Sequence, residues 1–195
     1  MVTPVNSMIG LALVVSALAA PVMPLAPRQP EVNATGAGVL AFQKALGEYI
    51  KIHNEAESKV PELKETGDPS KIAAREAALA AAIQQLRPHA KAGDIFVAEF
   101  QPVLLAAVKR DFADRTTVDR KAMVEEMPGN VTIAVNKVYP PSVPLATFPA
   151  KLLRALPDLP PELEYRIVGR DLILRDIKAN LVADVARGVV PSSTR

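Results

Sequence analysis

The charged residues near the C-terminus are the part of this sequence best suited to chemistry. Arg166, Arg170, Asp171, Arg175 and Asp184 stand close together, with Glu164 beside them. A guanidinium presents a planar fork of donors that matches a carboxylate or phosphate, and a neighbouring acid can hold that fork in place. These five residues are therefore the candidate ligand-binding set, and a small anionic ligand is what they would take. The plainer alternative is a solvated lattice of cross-strand ion pairs, each contributing only about 0–1 kcal/mol.

The remaining chemistry-bearing residues converge less. His53 and His89 are the only histidines. In a helical hairpin centred near Glu65 they sit about 15–18 Å apart along the axis, too far to share an ion. His53 is read as a core-edge histidine, and no metal site is expected. Gly36-Ala37-Gly38 lacks a preceding strand and a third glycine, so it is read as a hinge rather than a phosphate loop. No Gly-x-Ser-x-Gly elbow occurs, and Glu125-Glu126 reads as solvated acids because adjacent helical positions point apart. Asn33-Ala34-Thr35 and Asn130-Val131-Thr132 match glycosylation sequons, which matter only in a eukaryotic secretory path. No catalytic residue and no cofactor is expected.

Composition narrows the class. The chain has 195 residues, 49% hydrophobic and 23% charged, with a net charge of +2, which reads as one globular domain with no bias toward nucleic acid. Aromatic content is 4% with no Trp, which argues against a stacking surface for bases or sugars. The absence of cysteine removes thiol nucleophiles, disulfides and thiolate metal sites together.

From Met8 to Ala20 the sequence is apolar or small, and Ala17-Leu18-Ala19 precedes a possible cut. The run is too short to span a bilayer and has the length of a secretory core. Residues 1–19 are expected to be a signal peptide, the alternative being an apolar first helix of the mature fold. Residues 20–36, with prolines at 21, 24, 27 and 30, form the expected tether. Residues 37–191 form the expected domain, helical over 37–127 and β-containing over 130–187.

Phe42, Leu46, Tyr49, Ile50 and Val60 recur at helical spacing, with His53 on the same stripe. Asp68-Pro69 opens a second helix to about Arg87, with Ile72, Leu79, Ile83 and Leu86 on one side and alanine elsewhere. The short connection makes the two an antiparallel hairpin. Phe96, Phe100, Leu104, Ala107 and Val108 mark a third helix, with Asp94 as a candidate cap and Pro102 as its start or its kink. A fourth runs from about Val118 to Glu126, capped by Thr117. Val131, Ile133 and Val135 alternate as a strand. Tyr139–Pro161 then holds seven prolines, with a short helical piece at Ala150–Leu156.

Gly169-Arg170 fits a two-residue type II′ hairpin, which pairs Val168 with Asp171, Ile167 with Leu172, Arg166 with Ile173, Tyr165 with Leu174 and Glu164 with Arg175. A second turn over Ile177–Asn180 is expected to put Leu181, Ala183 and Val185 on the face of Leu172 and Leu174. Glu164, Arg166, Arg175 and Asp184 then share the other face. The expected fold is α+β: an N-terminal antiparallel helical hairpin and further helices packed on a small C-terminal antiparallel β-meander.

Leu159-Pro160-Pro161, Leu163-Glu164-Tyr165-Arg166, Val168 to Leu174, Asp176, Ala179-Asn180-Leu181 and Asp184 together resemble the C-terminal signature of a family of uncharacterised exported bacterial proteins. Gly93-Asp94-Ile95-Phe96 resembles their pattern as well, although Val97-Ala98 stands where a Thr-Pro pair is common. The resemblance implies a bacterial envelope protein and brings no activity or site with it. The expectation is an exported, periplasmic or extracellular, non-enzymatic interaction module without a transmembrane span in its mature form. Its partner would be an envelope protein or a small anionic ligand, not nucleic acid. The alternatives are an envelope hydrolase or small anionic-ligand-binding protein using the charged meander face, and a helical chaperone with an apolar groove beside the alanine-rich helix.

Overall fold

The computed structural model describes residues 34–125, 131 and 133–191. The expected leader at 1–19, the first part of the tether, and Asn33, Glu126, Asn130 and Thr132 lie outside the described residues. Helix α1 spans Ala34–Ser58 and buries Phe42, Leu46, Tyr49, His53 and Ala56, spaced three and four apart along one stripe. Helix α2 spans Pro69–Leu86. The Asp68 carboxylate accepts from the Ser70 N–H at 3.0 Å and Pro69 occupies the first turn, where its missing N–H costs nothing. Glu57 meets Arg75 and Tyr49 meets Arg87, so the two helices run antiparallel. Leu79, Ala80 and Ile83 are buried, whereas Ile72 is 39% exposed and faces a surface cleft instead of the expected core.

The Gly36-Ala37-Gly38 segment is not a hinge. It lies within α1, together with the last residues of the expected tether. The physical reason is a close approach: a Cβ on Gly38 would overlap the Glu99 carbonyl oxygen, and Val103 Cγ2 lies only 3.2 Å from the same point. Glu99 belongs to a single 3-10 turn, Ala98–Phe100, that leads into α3, Gln101–Ala113, with Pro102 in its first turn. Pro102 therefore starts the helix rather than kinking it. Phe42 stacks on Phe100 at 4.3 Å and on Phe96 at 5.8 Å between ring centroids, which locks this turn onto α1. Helix α4, Thr117–Glu125, is capped by Thr116 and not by Thr117: the Thr116 hydroxyl oxygen accepts from the Asp119 N–H at 3.1 Å. Helix α5 is a short piece, Ala150–Ala155.

The C-terminal strands β1 (Leu163–Val168), β2 (Asp171–Asp176) and β3 (Leu181–Ala186) form a three-stranded antiparallel meander. The β1–β2 register is the one the type II′ turn dictates, with Gly169 at φ 58°. The β2–β3 register is not the expected one. A bulge between Leu174 and Arg175 pairs Arg175 with Val182 but Leu174 with Asp184, leaving Ala183 as the extra residue. One inserted residue exchanges the faces of everything beyond it. Asp184 thereby joins Tyr165, Leu172 and Leu174 on the helix side, and Val185 pairs with Ile173 on the other side.

That other side is not solvated. Ile133, Tyr139 and Val143 pack on Val168, Ile173, Val182 and Val185 as a second buried cluster. The expected strand at 131–135 is absent among the described residues. The segment instead follows the open edge of β3, with Asn136 N–H donating to the Val182 carbonyl at 2.8 Å and Tyr139 N–H to the Asn180 carbonyl at 2.7 Å. A bridge joins Val138 to Leu181, too short a pairing to count as a strand. The fold is thus α+β, five α-helices and one small meander among the described residues.

The Gly38 contact gives a direct test. Gly38→Ala gains about 1 kcal/mol of helix propensity, yet forces α1 away from the Glu99 carbonyl. We expect a net loss of about 1–3 kcal/mol, the usual cost of overpacking, read as a lower urea midpoint.

Candidate functional site

Two aspartates inside the sheet organise the polar groups of the core, and neither is accessible to solvent. Asp184 accepts from the backbone N–H groups of Gly93 at 2.9 Å, Ile95 at 2.7 Å and Phe96 at 2.7 Å, and from that of Val185 at 2.7 Å. The loop entering the 3-10 turn has no side-chain cap of its own. The carboxylate of a distant strand supplies the acceptor. Burial pushes the Asp184 carboxyl above its ordinary value, and the four N–H groups pull against that shift. Asp94, the candidate cap, instead accepts from the Lys91 N–H at 3.0 Å within its own turn.

Asp176, at the end of β2, accepts from the Tyr49 hydroxyl at 2.8 Å and the Ala179 N–H at 2.9 Å, and His53 Nδ1 lies 2.6 Å away. Tyr49 and His53 are one turn apart on α1, so a single carboxylate fixes that helix against the β2–β3 turn. Burial and the adjacent Asp176 push the Tyr49 hydroxyl well above its usual range, so it stays a donor. The Arg87 guanidinium lies 5.0 Å over the Tyr49 ring and donates to the Ala183 carbonyl at 3.2 Å, at the bulge itself.

Of the five expected ligand-binding residues, only Arg166 and Arg175 come together, with Glu164 between them. Arg166 donates to Glu164 Oε2 and to the Ala146 carbonyl, the latter at 2.9 Å. Arg175 donates to Glu164 Oε1 at 2.7 Å and to Asn180 Oδ1 at 2.8 and 3.0 Å, with its guanidinium 5.5 Å from the Tyr139 ring centroid. Burial works to raise the Glu164 carboxyl, and the two arginines outweigh it and hold it low. Arg170 and Asp171 lie at the β1–β2 turn. Arg170 Nε donates to the Val190 carbonyl at 3.0 Å, while Asp171 accepts from Arg187 at 2.6 Å and from the Gly188 N–H at 2.8 Å. Asp184 is on the opposite face of the sheet, because of the bulge.

The charged face is therefore neither a flat solvated lattice nor a common pocket for the five. One end of it opens into a cleft of about 530 Å³ at the β1 side, where Leu145, Phe148, Leu159 and Leu163 form an apolar wall and Glu164 and Arg166 a polar end. Leu145 and Leu153, both on this cleft, are 49% and 50% exposed. Arg166 Nε is buried and makes no hydrogen bond among the described residues. A smaller cleft of about 310 Å³ is lined by Glu57, Ile72, Arg75 and Lys178. Beside it, Val60, Leu63, Ala74 and Ala78 border an apolar furrow of about 290 Å³ along α2. His89 is exposed. Among the described residues no group of three or more His, Asp or Glu is arranged to hold a metal ion, and no helix is long and apolar enough to cross a membrane.

No protein family, curated protein or solved structure matches the chain.

Tyr49, His53 and Asp176 form the network that sequence reading passed over. The signal was present: Tyr49 and His53 sit four apart on an apolar helical stripe, and Asp176 falls in the same alternating set as Leu172 and Leu174. What a single sequence does not reveal is that they meet, across more than a hundred residues of chain.

Removing the Asp184 carboxylate takes the acceptor from four backbone donors, three of them buried and each costing about 1–3 kcal/mol when orphaned. We expect Asp184→Ala to lose more than about 3 kcal/mol in urea unfolding, with Asp171→Ala, on the partly exposed turn, costing far less.

Proposed function

We propose that this chain is an exported, non-enzymatic binding module of the bacterial envelope, periplasmic or extracellular. Its ligand would be a small and mostly apolar molecule with an acidic end, held in the cleft beside Arg166. The apolar leader and the likeness of the C-terminal signature to exported bacterial proteins support the address. The cleft itself carries the rest of the reading: its volume falls within the range usual for small-molecule sites, and it pairs a greasy wall with a few polar groups at one end. At that end Arg166 lines the cleft and shares the Glu164 carboxylate with Arg175 behind it, its own Nε buried without a hydrogen bond among the described residues, while Asp158 stands on the exposed rim. The two fully buried carboxylates are engaged within the fold, Asp184 by four backbone donors and Asp176 by Tyr49, His53 and Ala179.

The reading is tested with anilinonaphthalene sulfonate, an aromatic anion of suitable shape. Dye fluorescence should rise on the wild-type protein, and the double variant Leu145→Glu, Leu153→Glu should bind at least about tenfold more weakly. Both residues are half exposed, so the fold survives the change. Equal binding by Arg166→Ala and wild type would remove the acidic end from the reading, and equal binding by the double variant would remove the cleft. Export is checked separately, by fractionating cells and measuring the N-terminal mass of the recovered protein.

A further inference from the structure

We propose that His53 is a pH-sensitive latch: doubly protonated in the folded protein, its ring joins Asp176 on one side to Glu57 on the other, and loss of one proton loosens α1 from the β2–β3 turn. The argument begins with geometry. The His53 ring is fully buried, with Nδ1 2.6 Å from Asp176 Oδ2 and Nε2 3.5 Å from Glu57 Oε2. Asp176 Oδ2 is a carboxylate oxygen that already accepts from Tyr49, so Nδ1 must be the donor. In a neutral ring Nε2 would then be a bare lone pair, buried and pointed at a second carboxylate. It makes no hydrogen bond among the described residues that would favour that state. Only the imidazolium gives each ring nitrogen a favourable partner.

The surrounding charges complete the case. Tyr49 on α1 faces Asp176, with Arg87 over its ring. Lys178 in the β2–β3 turn contacts both Glu57 oxygens at 3.1 Å, and Arg75 of α2 approaches Glu57 Oε1 at 3.4 Å. Burial lowers the His53 ring and Lys178 opposes its charge, but the hydrogen bond and charge of Asp176 together with the charge of Glu57 outweigh them, and the ring is raised above the ordinary histidine value. A raised folded value stabilises the fold fully below about pH 6.5 and loses that contribution as pH climbs through the folded value. Deprotonation also removes a positive charge from behind Glu57, which lines a cleft with Arg75 and Lys178.

The test uses nitrogen-labelled full-length mature protein titrated between about pH 5 and about pH 9. His89→Gln, at an exposed position, leaves one histidine signal to follow. The expected results are a His53 midpoint above about 6.5, a urea midpoint that falls across the same interval, and faster hydrogen exchange at the Ala179 amide, which donates to Asp176. Glu57→Gln removes the second carboxylate at a one-third exposed position and should move the His53 midpoint lower. A His53 midpoint at or below the ordinary value, an unmoved midpoint in Glu57→Gln, or a urea midpoint of the same pH slope in wild type and His53→Gln would each overturn the proposal.

Discussion

The fold depends on one constraint: the backbone N–H groups of Gly93, Ile95 and Phe96, the last two buried, point to the Asp184 carboxylate of a distant strand as their acceptor. A charged group inside a core is costly unless every lone pair is used, and here four N–H donors use it. The loop in turn carries Phe96 and Phe100 onto Phe42, so this polar knot and the aromatic stack of α1 stand or fall together. Asp176 does the same service at the β2–β3 turn, for side chains of α1 as well as the Ala179 N–H.

The bulge in β3 is what turns Asp184 inward. Regular pairing would have put it beside Arg166 and Arg175, leaving the loop without its acceptor. The same extra residue sends Val185 outward, onto a face that Ile133, Tyr139 and Val143 then cover. A small meander thus ends up buried on both sides, by helices and by a proline-rich strap. The remaining guanidinium groups of that face become fasteners for the strap, Arg166 through the Ala146 carbonyl and Arg175 through Tyr139.

The local grammar of the sequence was a good guide wherever one turn or one helix decided the outcome. Gly169-Arg170 fixed the first hairpin pair by pair, and Asp68-Pro69 marked the start of α2. The errors arise where a distant contact decides. Gly38 looks like a hinge until Glu99 is seen against it, and Thr117 looks like a cap until the preceding Thr116 is found making the bond. Ile133 and Val135 alternate like a strand, yet serve as filler over a sheet whose edge they only brush. The consecutive apolar run Leu172-Ile173-Leu174 did hold a clue that both faces of β2 are covered, since a half-solvated strand alternates. The charged set misled in the opposite way, because fork-shaped donors near acids are as useful for fastening a chain to itself as for gripping a ligand.

The long reach of these ties bears on how the molecule is made. α1 waits for Asp176, 123 and 127 positions downstream of its two partners, and the Gly93–Phe96 loop waits for a strand some ninety residues later. Contacts of such separation are slow to form, because loop closure precedes any reward. A growing polypeptide therefore has no way to complete its interior until β2 and β3 have been made, and until then it remains an open, threadable chain.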